Sequence, residues 1–147
     1  MKNTDLVSWV DPGLTSGIAV WSFAHGNVIE VKEFDFEELG CYLDNMPVQR
    51  IGWETFKITE RTAKLTQAPW SLEVIGMCRW LALQKNWDVL KPAMPADRAP
   101  IHQVDALGWC PRGMRDDGMS ACQHLLAWLL RTRLAPRWIY DTISPGT

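Results

Sequence analysis

Three short runs of β-forming residues follow one another at the start of the chain, and the turns between them leave no room for a helix. The first, Leu6-Val7-Ser8-Trp9-Val10, stops at Asp11-Pro12-Gly13, a turn signal. The second spans 17–23 and is closed by His25-Gly26-Asn27, and the third spans 28–34 with polar and apolar residues alternating. Strands joined this tightly pair as an antiparallel meander. Helical signals begin only afterwards. Asp35 and Glu38 form a D-x-x-E capping box, with Phe36, Leu39 and Leu43 on one face and Pro47 as the stop. A fourth strand over 50–56 is reached through that helix, so it is expected to run parallel to its neighbour.

The remainder alternates in the same way. Residues 57–69 are polar and basic and read as a loop; 71–85 form an apolar helix capped by Ser71; 87–90 form a fifth strand. The stretch 91–113 is rich in proline and glycine, with one short helix around 101–107, and a last helix runs from about 117 to 133. No strong period follows Pro136, so 136–147 is expected to be a loosely ordered tail. The order βββ-α-β-α-β-α predicts an α/β fold with a five-stranded mixed sheet: a three-strand meander, two parallel strands, and helices on both faces. The right-handed crossover rule sets the fourth strand beside the first. Ligands in such sheets favour the carboxyl ends of the strands at the switch point, which here carry Asp11 and Glu54.

With 147 residues, the chain is expected to form a single domain over 1–147. No apolar stretch approaches the roughly 20 residues of a membrane-spanning helix. No secretory leader is evident either, so a cytoplasmic location without membrane association is expected. Cysteines 41, 78, 110 and 122 form no C-x-x-C pair and read as buried free thiols. The net charge of −2 is unusual for a nucleic-acid partner, but it is unevenly spread. Residues 57–115 carry nine Lys/Arg against five Asp/Glu, and the local field, not the total, is what a phosphate meets.

Asp11, Glu54 and the pair Asp116-Asp117 come from distant parts of the chain and would converge on one rim. Carboxylates crowded together repel, so such a cluster calls for a cation or for shifted pKa values. Hard oxygen donors suit Mg²⁺ or Mn²⁺. Two such ions about 3.5–4 Å apart activate water and stabilise a leaving oxygen in phosphodiester hydrolysis. Each residue also has a plain reading: Asp11 as part of a turn, Glu54 as a solvated strand end, Asp117 as a helix cap. A P-loop is not supported, since no G-K-[ST] follows Gly13 or Gly17.

Asp11-Pro12-Gly13-Leu14-Thr15-Ser16-Gly17 resembles the D-P-G-x-x-x-G opening of RuvC-like Holliday junction resolvases, a ribonuclease H-like family with phage-type members. Trp53-Glu54-Thr55-Phe56 resembles their strand-end glutamate, and the run from Asp117 to Leu126 their closing acidic helix. The resemblance covers about 6–131. It implies a homodimeric, structure-specific endodeoxyribonuclease that cuts branched DNA with two Mg²⁺ or Mn²⁺ ions. Asp11 would bridge the ions, and Glu54 and Asp117 would hold one each.

Ser120 stands where the family pattern has its final aspartate, and a neutral hydroxyl is a weaker ligand. Three explanations fit: Asp116 or Asp117 compensates, the chain is an engineered inactive form, or it is a non-cleaving relative that binds branched nucleic acid. Lys57, Arg61 and Lys64 follow Glu54 and are candidates for phosphate contacts, as is Arg98, where the family keeps a basic residue, usually lysine. The family places an aromatic wedge after the glutamate. Phe56 is the nearest candidate and Trp70 the next, with a core position the plainer reading of Phe56.

Overall fold

The computed structural model describes residues 5–47, 49–56, 59–61, 68–114 and 116–144. Strands β1 (Leu6–Asp11), β2 (Ser16–Ser22) and β3 (Asn27–Phe34) form the expected meander. β4 (Arg50–Trp53) lies parallel to β1 on its free edge, and β5 (Asp88–Val89) lies parallel to β4. The sheet order is β3-β2-β1-β4-β5, so β1 is the central strand and the crossover falls between β1 and β4.

Side chains alternate across a strand, and the two faces of this sheet are sorted accordingly. Val10, Ile18, Val20, Ile51 and Trp53 point to one face and pack with helices α1 (Phe36–Asp44) and α2 (Ala68–Lys85). Val7, Trp9, Ala19, Trp21 and Val31 point to the other, where helix α4 (Asp117–Arg131) lies across β1, β2 and β3. Helices α3 (Ile101–Leu107) and α5 (Arg137–Ile143) complete that second layer. Nearly every residue of α4 from Gly118 to Leu129 is buried, which marks it as the central helix of the molecule.

The local signals behave as their chemistry requires. Asp35 caps α1 through the Glu38 amide at 2.8 Å, and Glu38 returns the bond to the Asp35 amide at 3.3 Å. Of the nine tryptophans, 9, 21, 53, 87, 109 and 128 are buried, while Trp70, Trp80 and Trp138 are exposed. All four cysteines are free, but only Cys78 and Cys122 are buried; Cys41 is exposed and Cys110 half-buried, against the expectation for all four.

Several boundaries differ from the sequence reading. β4, expected over 50–56, ends at Trp53, and α4 ends at Arg131. Helix α2 starts at Ala68, so Ser71 is not its cap; the Ser71 hydroxyl donates to the Pro12 carbonyl at 3.1 Å and ties α2 to the turn after β1. Helix α4 is capped at Asp116, leaving Asp117 as its first helical residue. Residues 137–143 form α5, anchored by the buried Ile139, where no period was legible. Seven residues contain too few turns to display one. Among the described residues, no helix is long and apolar enough to cross a membrane.

Candidate active site

Strand parity decides which side chains meet. Asp11 shares the face of Val7 and Trp9, and Glu54 shares the face opposite Ile51 and Trp53, so both are directed toward α4. Glu54 continues the line of β4: its amide donates to Val10 O at 3.1 Å and it bridges Ala93. Helix α4 returns the chemistry from its side. Asp117, Ser120 and His124 lie three and four residues apart, on one stripe of the helix.

Gly17 permits the approach. It pairs with Asp11 across β1 and β2, and a Cβ added there would lie 1.9 Å from the Asp117 carbonyl oxygen. No side chain fits between β2 and the start of α4. The last glycine of D-P-G-x-x-x-G therefore seats Asp117 against Asp11.

The first turn of α4 is capped by another strand. Glu33, two residues beyond Val31 and on its face, accepts a hydrogen bond from the Gly118 amide at 3.2 Å. A carboxylate there also suits the positive end of the helix dipole. Asp116 makes no side-chain capping bond. Asp117 is thereby spared capping duty and faces Asp11.

The electrostatics of this rim are uneven. Burial, with the nearby charges of Glu54 and then Asp117, pushes Asp11 up to about 7; Arg98 and a hydrogen bond from Ser120 oppose the rise. Burial, followed by Glu33 and Asp116, pushes Asp117 up to about 6, although it shares a hydrogen bond with Asp11. Glu54 goes the other way. Burial alone would raise it, but hydrogen bonds from His124 and Arg98 hold it below the usual carboxylate range. Those donors converge on a single oxygen: Arg98 Nε at 3.0 Å, Arg98 Nη2 at 2.7 Å and His124 Nε2 at 2.5 Å, all to Oε2. His124 is buried and stacks on Trp9, with ring centroids 5.9 Å apart.

A cleft of about 460 Å³ opens on the carboxylates, lined by Asp11, Pro12, Gly13, Leu14, Thr15, Phe56, Ser71, Asp116 and Asp117. Phe56 is half-buried at its edge and also lines a neighbouring apolar groove, so it is not a core side chain. Asp11 and Asp117 offer hard oxygens in a place where two negative charges are costly, and that donor set fits Mg²⁺ or Mn²⁺. No group of three or more His, Cys, Asp or Glu side chains among the described residues is gathered to hold a metal. An ion here would rest on one or two carboxylates and water, as Mg²⁺ commonly does.

The expected residues separate into groups. Asp11, Asp117 and Ser120 come together, with Asp116 on the cleft wall. Glu54 is adjacent but outside the lining, held by Arg98 and His124. Arg98, a candidate phosphate contact, is paired with Glu54. Arg61 is exposed, whereas Lys57 and Lys64 lie outside the described residues. Trp70 stands at the start of α2 beside Phe36, with ring centroids 6.2 Å apart. Sequence reasoning missed Glu33 and His124. Both signals were present: Glu33 shares the parity of Val31, and His124 lies one helical turn past Ser120.

This five-stranded mixed sheet with helices on both faces is the RuvC fold. Two solved structures share it: Thermus thermophilus RuvC in complex with Holliday junction substrate, and Thermus thermophilus RuvC alone. The first has a TM-score of 0.58 and 12% identity, covering 86% of this chain and 95% of that one. The second has a TM-score of 0.58 and 14% identity, covering 88% of this chain and 98% of that one. No protein-family model and no curated protein matches the sequence.

Proposed function

We propose that this chain is a phage-type, ribonuclease H-like nuclease of the RuvC kind, which binds branched DNA and hydrolyses a phosphodiester with a divalent cation. The observation that carries this reading is the meeting of Asp11 and Asp117 on the rim of a RuvC fold, with Gly17 kept bare so that they can meet. Asp11 and Asp117 would hold Mg²⁺ or Mn²⁺, which supplies Lewis acidity and an activated water. Asp116 is close enough to the same cleft to add charge, in place of the carboxylate that Ser120 lacks. The Ser120 hydroxyl lies beside Asp11 and favours its charged form. Lys57, Arg61 and Lys64 are the proposed phosphate contacts and Phe56 the proposed wedge, since it stands at the mouth of the cleft.

A junction presents two symmetric strands to be cut, which favours a homodimer. The outward side of α2 supports that arrangement, because Leu72, Trp80 and Leu83 are 40%, 60% and 73% exposed there. A second reading, a module that binds branched nucleic acid without cutting it, is favoured by Ser120 and by the engagement of Glu54 with Arg98 and His124.

The deciding experiment is Mg²⁺- or Mn²⁺-dependent cleavage of a labelled synthetic four-way junction. The chain should cut it, Asp11→Asn should abolish cutting while binding persists, and Ser120→Asp should raise the rate. If Ser120→Asp binds both metal and junction yet leaves every strand intact, the nuclease reading fails and the binding module takes its place.

A further inference from the structure

Two carboxylates that a pair of ions would require are missing from this rim in different ways. Ser120 has no charge to give. Glu54 has one, but its Oε2 already receives three N–H donors, two from Arg98 and one from His124. A carboxylate oxygen has about two lone-pair sites, so Oε2 is taken, and the one oxygen left, Oε1, belongs to a side chain that does not line the cleft. Nor is Glu54 loosely placed. His124 is wedged between it and the Trp9 ring, and its side chain is only 1% exposed. The ring must donate from Nε2 to a carboxylate, and Nδ1 has no hydrogen-bond partner among the described residues.

The charges agree with the geometry. An Arg guanidinium is permanently positive and meets carboxylates as a planar fork. It sits at 2.7 Å from Glu54, where it neutralises the carboxylate that a second ion would otherwise hold. Two ions need a shared ligand and further anionic ligands of their own; among the described residues the cleft is lined by Asp11, Asp117 and the neighbouring Asp116, all at one end of it, and not by Glu54.

We propose that the chain binds one divalent cation, on Asp11 and Asp117, and that Arg98 with His124 takes the place of a second cation at Glu54. This inference rests on the nuclease reading above and specifies its metal site. It also gives Arg98 a share in substrate binding. Two of its five N–H groups are spent on Glu54, and its side chain is 34% exposed, so the others can reach a phosphate oxygen at the edge of the cleft.

The test is Mn²⁺ binding to the full chain, read as free ion by electron paramagnetic resonance and as a ratio by titration calorimetry. The unmodified chain should bind one Mn²⁺. Asp11→Asn should bind none. Glu54→Gln keeps an acceptor oxygen for Arg98 and His124, so it should still bind one ion, with affinity reduced by no more than about tenfold, the low end of an outer-shell effect. Arg98→Met, folded by circular dichroism, should gain a second ion because Glu54 is then uncompensated. A ratio of two in the unmodified chain, or loss of the ion in Glu54→Gln, overturns the inference while leaving a metal-dependent nuclease in place. A ratio that stays at one in Arg98→Met overturns the role given to Arg98. No binding at all in the unmodified chain removes the metal, and with it the nuclease reading itself.

Discussion

Asp11 is held above its ordinary pKa of 3.8, at about 7, and that shift has a sign in stability. A carboxyl that binds its proton more tightly when folded contributes stability at low pH, and the contribution is lost as pH rises through the folded value. Asp117, raised to about 6, acts in the same direction. The metal-free chain should therefore lose thermal stability between about pH 4 and pH 7, and Asp11→Asn should flatten that decline. On the proposed function Mg²⁺ would bind the charged form, and it should then restore the melting temperature above pH 7 by mass action on the native state. Melting curves across pH, with and without Mg²⁺, provide the check. A melting temperature that rises from pH 4 to pH 7 without metal would contradict the crowding of these two carboxyls.

Helix α4 ties the fold to the site. Its buried length fixes its position over β1, β2 and β3, and Gly17 sets how closely its first turn approaches β2. Gly17→Ala cannot be absorbed by a flexible side chain, because the atoms it meets are the backbone of Asp117 and Gly118. Overpacking of this kind costs about 1–3 kcal/mol, and here it should also move Asp117 away from Asp11. The expected result is a lower melting temperature together with a loss of Mg²⁺ stabilisation larger than the fold defect explains. Wild-type Mg²⁺ stabilisation in Gly17→Ala would show that the close approach does not matter to the site.

At the scale of the whole molecule, the two most exposed large apolar side chains among the described residues, Leu83 and Trp80, both lie on α2. The α4 side is closed by α3 and α5, whereas α2 turns Leu72, Trp80 and Leu83 outward along one side. These positions fall at about helical spacing, and their exposure matches the absence of a polar face on that helix. The Trp80→Glu, Leu83→Glu double variant should sediment as a monomer where the parent sediments as a dimer. Its melting temperature should change by no more than the loss of the dimer explains, since both side chains are already exposed. A parent chain that is monomeric at micromolar concentration would remove the dimer from the proposal.

Much of this was legible in the residues. The meander, the parallel return of β4 beside β1, the capping box of α1 and the short helix α3 follow from turn chemistry, alternation and the handedness of crossovers, which act over a few residues or through one rule of topology. Asp11 and Glu54 on adjacent strand ends follow from the same rules. What the sequence could not decide is how the layers close. That Glu33 caps α4 and that Arg98 and His124 hold Glu54 depend on groups up to 85 residues apart. The sequence by itself determined the strands, their order and the presence of an acidic rim. Only the tertiary structure decided which carboxylates stay open to a cation and which is already satisfied, because that choice is made by the packing of α4 on the sheet and by the one contact that Gly17 leaves room for.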